Sequence, residues 1–124
     1  MNHILLIDDD ADMLAMTGRW LEKAGYRVTK AVSGKDALDH ISAEKPDLIL
    51  LDYAMPEMNG PEVLKEIRSR SDCRNVPILY RTGLDDTDAA GLDGEFKADG
   101  IVSKAEGKPA LMGAINKLKQ EGKL

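Results

Sequence analysis

Five residues that could do chemistry together stand at the ends of strand-like runs in this 124-residue chain. Ile4-Leu5-Leu6-Ile7 runs straight into Asp8-Asp9-Asp10, and Asp47 to Leu51 runs into Asp52. Val76 to Thr82 ends in a hydroxyl, and Gly100 to Lys104 ends in a cation. Aliphatic runs without alternation are the mark of strands buried on both faces, as in parallel sheets covered by helices. Open α/β sheets place their ligands beyond the carboxyl ends of such strands. With the first and third strands side by side, Asp8, Asp9 and Asp52 converge on one rim. Crowded carboxylates repel and raise one another's pKa unless a cation joins them. A hard divalent ion such as Mg²⁺ suits a few carboxylates and several waters. An ion so held neutralises a phosphoryl group in transfer, where positioning and charge stabilisation supply most of the catalysis. Asp52 is then the candidate nucleophile, since an aspartate can take phosphate as an acyl phosphate. Thr82 and Lys104 would bring a hydroxyl donor and a cation to the same rim. Each residue alone has a plainer role: acids after a strand cap helices, as Asp10 would for a helix near Ala11, and a lone lysine is usually solvated. Their joint occurrence on strands one, three, four and five is what points to a site.

The elements that must position these residues alternate. Met13, Leu14, Thr17, Trp20, Leu21 and Ala24 recur at helical spacing, and Gly25 follows as a stop. Tyr26 to Val32 suits an edge strand, interrupted by Arg27 and Lys30. Ser33 can cap a helix with Ala37, Leu38 and Ile41 on its apolar face. After the central strand, Pro61 suits the start of a helix carrying Val63, Leu64 and Ile67. Leu84, Ala89, Ala90, Leu92 and Phe96 could line a weak helix, but Gly91 and Gly94 each cost it about 1 kcal/mol relative to alanine. Pro109 opens a last helix with Leu111, Met112, Ile115 and Leu118, and Gly122 lies past its end. Strand and helix alternate five times, which predicts an α/β fold with a five-stranded parallel sheet and helices on both faces.

Composition narrows the class. A hydrophobic content of 43% with 4% aromatics supports one aliphatic core, and the length suits one domain over residues 1–124. The net charge of −5 argues against general affinity for nucleic acid or anionic membranes. Cys73 is the single cysteine, so no internal disulfide forms and a reducing, cytoplasmic home is expected. No leader-like or membrane-spanning run is legible in the sequence.

Four segments together resemble the signature of response-regulator receiver domains: Ile4 to Asp10, Leu50 to Gly60, Val76-Pro77-Ile78 with Thr82, and Ser103-Lys104. The likeness runs end to end. It implies the flavodoxin-like strand order 2-1-3-4-5, of which receivers are a stock example. It also implies that Asp52 is the phosphoacceptor, served by a histidine kinase or a histidine phosphotransfer protein. By the same resemblance Asp9 binds Mg²⁺ directly, Asp8 acts largely through water, and the backbone carbonyl of Ala54 completes the protein ligands. Thr82 and Lys104 hold the phosphoryl oxygens.

Some positions depart from that pattern. Receivers usually carry a cis proline after the lysine, whereas Ala105 stands here. A cis bond without proline costs about 3 kcal/mol, so the loop is either strained or trans with Lys104 presented differently. Ile101 occupies the switch position, where an aromatic is usual, so the aromatic's inward swing is not expected to operate in its usual form. Gly83 follows Thr82 and should loosen that loop. Arg81 is a charge where an aliphatic is expected; it is expected to point outward with its stem over apolar surface, the alternative being an approach to the acids or the phosphate. Ala54 and Leu84, two residues after the acceptor and the hydroxyl, carry no polar group to orient water, so unexceptional or slow self-hydrolysis is expected.

The sequence thus reads as a stand-alone, Mg²⁺-dependent phospho-acceptor rather than an enzyme. As a stand-alone unit its charge state is expected to alter a surface near residues 83–101 and the last helix, changing binding to a separate protein or passing phosphate onward; the other reading is a fragment of a larger protein. The alternative is a degenerate receiver that binds partners without phosphorylation. A hydrolase forming an aspartyl-phosphate would need a second acid two residues after the nucleophile, where Ala54 stands. A nucleotide or flavin binder would need a phosphate-cradling loop after strand one, where three acids stand instead.

Overall fold

Five parallel strands form one sheet in the order β2-β1-β3-β4-β5 in the computed structural model, which describes residues 2–53, 55, 58–83 and 98–124. They are β1 (His3–Ile7), β2 (Arg27–Ala31), β3 (Leu48–Asp52), β4 (Ile78–Thr82) and β5 (Gly100–Ser103). The helices are α1 (Ala11–Lys23), α2 (Gly34–Ala43), α3 (Gly60–Arg68) and α4 (Gly107–Gln120). The expected strand order and the two helical layers are both present. The weak helix expected over 84–96 lies outside the described residues, as does Ala54.

Strand parity divides the core. Leu5, Ile7, Ile49, Leu51, Ile78 and Tyr80 face one way and pack on Ala37 and Ile41 of α2 and Val63, Leu64 and Ile67 of α3. Ile4, Leu6, Leu48, Leu50, Leu79 and Val102 face the other way, against Leu14 and Leu21 of α1 and Leu111, Ile115 and Leu118 of α4. Because β1 and β3 bury both faces, they show no polar alternation in sequence. β2 is the edge strand, half exposed, as its charges suggested.

Caps fix the helix starts. The Asp10 carboxylate accepts from the N–H groups of Asp12 and Met13, so it caps α1 as expected. Ser33 Oγ caps α2 through Asp36 N. Asn59 and Glu62 form a reciprocal capping box at α3, with Pro61 in its first turn. Several boundaries differ by a residue or two from the sequence reading. Asp52 is itself the last residue of β3, β4 begins at Ile78, and β5 ends at Ser103. The last helix starts at Gly107 rather than Pro109, because proline is tolerated throughout a first turn whose N–H groups have no intrahelical partner. Among the described residues no helix is long and apolar enough to cross a membrane.

Candidate functional site

The register of the sheet assembles the rim. Ile7 pairs with Leu51 across β1 and β3, so Asp8 and Asp52 follow side by side. Asp52 pairs directly with Arg81 across β3 and β4, and Thr82 pairs with Ser103 across β4 and β5. Backbone bonds continue this pairing past the strand ends: Asp8 N donates to Ala31 O (3.1 Å) and Tyr53 N to Arg81 O (2.9 Å). Asp8, Asp52, Arg81 and Thr82 are all buried, whereas Asp9 is exposed.

The three sequence-predicted acids do come together. One carboxylate oxygen from each of Asp8, Asp9 and Asp52 lies within 4.8 Å of the others. Lys104 reaches into the same cluster, with Nζ 2.9 Å from Asp8 Oδ2 and 3.1 Å from Asp52 Oδ1. Asp8 is held from behind by the N–H of Asp10, which donates to Asp8 Oδ1 at 3.0 Å. Its Oδ2 has the ion pair but no aligned hydrogen-bond donor among the described residues. A buried anionic oxygen in that condition, beside two further carboxylates, fits a divalent ion held directly by some of the acids and through water by others. Thr82 closes β4 at the same rim. The carbonyl of Ala54 lies outside the described residues.

Charge at the rim is unevenly shared. Burial, and then the charge of Asp8, push the Asp52 carboxyl up to about 7, against a partial opposing pull from Lys104. For Lys104 burial opposes the charged form, but the contacts of Asp8 and Asp52 prevail and raise its pKa. The peptide between Lys104 and Ala105 is trans, as are all peptide bonds among the described residues. The lysine nonetheless reaches both acids. Lys104–Glu106 form a 3-10 turn capped by Ser103, whose Oγ accepts from Ala105 N, and Gly107 at φ 70° turns the chain into α4.

Two features depart from the expected arrangement or add to it. Arg81 does not point outward: only 2% of it is exposed, and Nη1 donates to Thr17 Oγ1 of α1 at 2.9 Å. Strand parity decides this, because Arg81 falls two residues after Leu79 on the α1 side of a central strand and has no solvent face to take. The available signal was Thr17, a lone hydroxyl in the apolar stripe of α1. Gly60 is the second. A Cβ there would stand 2.9 Å from the Asp52 carbonyl oxygen and from Tyr53 Cα and O, so only glycine lets α3 begin against the end of β3. Its N–H donates to Tyr53 O at 2.8 Å and ties the two together. Ile101 is half-buried and packs against the core on the α2–α3 side, paired with Tyr80.

Residues 4–116 match the response regulator receiver domain family. The chain belongs to that family. Among curated proteins, this receiver is 34% identical over 113 residues to a probable cyclic di-GMP phosphodiesterase of Vibrio cholerae, matching 91% of the chain and 25% of that protein. It is 37% identical over 101 residues to the alkaline phosphatase synthesis transcriptional regulatory protein PhoP of Bacillus subtilis, matching 82% of the chain and 41% of PhoP. The receiver therefore spans less than half the length of either relative. Among solved structures it resembles the chemotaxis protein CheY4 of Vibrio cholerae, with a TM-score of 0.87, 28% identity, and coverage of 94% of this chain and 98% of that one. It also resembles TrrA from Thermotoga maritima in complex with Mg(2+)-BeF, with a TM-score of 0.83, 28% identity, and coverage of 95% and 99%.

Proposed function

We propose that residues 1–124 form one receiver unit in which Asp52 accepts a phosphoryl group from a phosphohistidine of a kinase or phosphotransfer protein. The observation that carries this reading is the cluster at the rim: Asp52 buried at the end of β3, bridged by Lys104 to Asp8, with Asp9 alongside.

In the reaction an Asp52 carboxylate oxygen forms a bond to phosphorus as the P–N bond to the donor imidazole breaks, and the imidazole leaves. Asp52 must be ionised to attack, and its raised pKa means that near neutrality a cation must help to hold it so. Lys104, 3.1 Å from the acceptor oxygen, supplies one positive charge and can follow the incoming phosphoryl oxygens. Thr82, at the end of the neighbouring strand, offers a hydroxyl to the same oxygens. Asp8, Asp9 and Asp52, with the Ala54 carbonyl, would hold Mg²⁺, which when bound neutralises charge on the transferring phosphoryl group. Burial of Asp8 and Asp52 lowers the effective dielectric around these contacts and strengthens them.

The receiver assists its own phosphorylation and turns over no separate substrate. Adding a phosphoryl group to a buried rim shifts the balance between two conformations and so changes the binding of a partner protein. A cytoplasmic setting suits the free, buried Cys73. The test is to incubate wild type and Asp52→Asn with acetyl phosphate, with and without Mg²⁺, and to weigh the intact protein. A single added phosphoryl group is expected in wild type with Mg²⁺ and in no other sample. An unmodified wild type, or a modified Asp52→Asn, refutes the assignment.

A further inference from the structure

The buried guanidinium of Arg81 has no role in the phosphoryl transfer described above, yet it lies in the same cross-strand row as the acids. Asp52 and Arg81 are direct register partners in adjacent parallel strands, so their side chains leave the sheet on the same face. Lys104 lies two residues past Val102, the next partner in that row. Arg81 is almost fully enclosed; among the described residues its side-chain hydrogen bond goes to Thr17, a neutral group, and its Nε has no acceptor. A charge buried against a neutral hydroxyl is costly unless opposite charge lies near. That opposite charge is the acid pair: burial pulls the guanidinium below its usual pKa, and Asp8 and then Asp52 push it back up. Asp8 and Asp52 thus stand between two cations: Lys104, which is ion-paired with both, and Arg81, which is buried and tied to Thr17 of α1 without a direct ion pair among the described residues.

We propose that Arg81 is a built-in counter-cation of the acid pocket, tied down by Thr17, which weakens the pocket's hold on a divalent ion. Resting on the metal site read above, this makes Arg81 a positioning and charge-setting residue that does not touch the phosphoryl group. A divalent ion entering the pocket meets the positive charge of Arg81, held on Thr17 within the reach of Asp8 and Asp52, as well as that of Lys104. Lys104 keeps a partly exposed side chain, whereas Arg81 is enclosed and tied to Thr17.

The test is calorimetric titration of Mg²⁺ into the intact, unphosphorylated protein, comparing wild type with Arg81→Met, Arg81→Lys and the pair Thr17→Val with Arg81→Met. Methionine keeps the length of the stem and removes the charge. The double variant replaces both hydrogen-bonded partners by apolar groups, which leaves no orphaned hydroxyl and protects folding; thermal unfolding verifies it. Both variants lacking the charge are expected to bind Mg²⁺ at least about fivefold more tightly, from the loss of a like charge whose field reaches Asp8 and Asp52. Arg81→Lys is expected to stay within about twofold of wild type. Equal or weaker Mg²⁺ binding by a folded charge-free variant overturns the inference and leaves the metal site standing. Tightening by Arg81→Lys equal to that of Arg81→Met also overturns it, because shape and not charge would then be responsible. If no form, wild type included, binds Mg²⁺, the metal site itself falls and the inference falls with it.

Discussion

Lys104 Nζ lies 3.1 Å from Asp52 Oδ1 although the peptide that follows the lysine is trans. Receivers commonly use a cis proline at that point to aim the lysine. Here a 3-10 turn, closed by the Ser103 Oγ contact with Ala105 N and by Gly107, does the aiming instead. The same ammonium group meets Asp8 Oδ2 at 2.9 Å, so one cation holds two buried carboxylates together.

Replacing Lys104 by methionine leaves Asp8 and Asp52 facing each other without that cation. Since Lys104 is itself partly exposed, the loss should be smaller than for a fully buried pair, about 1–3 kcal/mol near pH 8 in metal-free buffer. Phosphoryl uptake from acetyl phosphate should also fall steeply. Urea denaturation and intact mass measure the two effects, and unchanged uptake would remove Lys104 from the transfer step.

Asp52 makes stability depend on pH in a defined direction. Its folded pKa is raised, mainly by burial and then by Asp8, from 3.8 to about 7. The folded chain therefore keeps a proton that the unfolded chain has released, and folding is favoured by that proton below the lower value. The contribution is lost as pH rises through about 7. Asp52→Asn removes the ionisation, so in metal-free buffer it should be more stable than wild type by about 1–3 kcal/mol near pH 8, with the difference closing towards pH 4. Urea midpoints across that range check it; a gap that widens on acidification contradicts the assignment.

Gly60→Ala should be costly although α3 starts there and alanine is the better helix former. Its Cβ would meet backbone atoms of Asp52 and Tyr53 at 2.9 Å, and backbone cannot rotate aside as a side chain can. A loss of about 1–3 kcal/mol is expected, together with slower phosphoryl uptake because the displaced segment carries the acceptor. Thermal unfolding combined with a time course of acetyl phosphate labelling separates the two consequences.

Asp10→Ala distinguishes a cap from a ligand. The Asp10 carboxylate is committed to the N–H groups of Asp12 and Met13 and lies outside the cluster formed by Asp8, Asp9 and Asp52. Stability should drop by about 1 kcal/mol while Mg²⁺ affinity stays within about twofold. Calorimetric titration beside chemical denaturation gives both numbers, and a large loss of Mg²⁺ binding would make Asp10 part of the metal site.

The fold was legible because its two central strands are written in unbroken aliphatics. Ile4 to Ile7 and Leu48 to Leu51 leave little choice but a sheet covered on both sides, and the acids that end them mark its carboxyl rim. Ser33 and Asp10 announced two helix starts by their own chemistry. The direction of Arg81 could not be read in the same way. In a strand buried on both faces, alternation carries no polar signal, so the rule that charged side chains seek solvent was applied where no solvent is available. The 3-10 turn after Ser103 was equally hidden, because Ala105 has no preference strong enough to choose between the two courses open to the loop.

The amino-acid sequence by itself determined the alternation of strands and helices, the apolar faces, and which chemistry-bearing residues close which strand, because these follow from local periodicity and capping. Only the tertiary structure decided that Lys104 bridges Asp8 to Asp52, that Gly60 must stand against the end of β3, and that Arg81 lies sealed beneath the acids on Thr17. Those relationships depend on the register between strands distant in the chain, and register is set by packing the whole sheet at once.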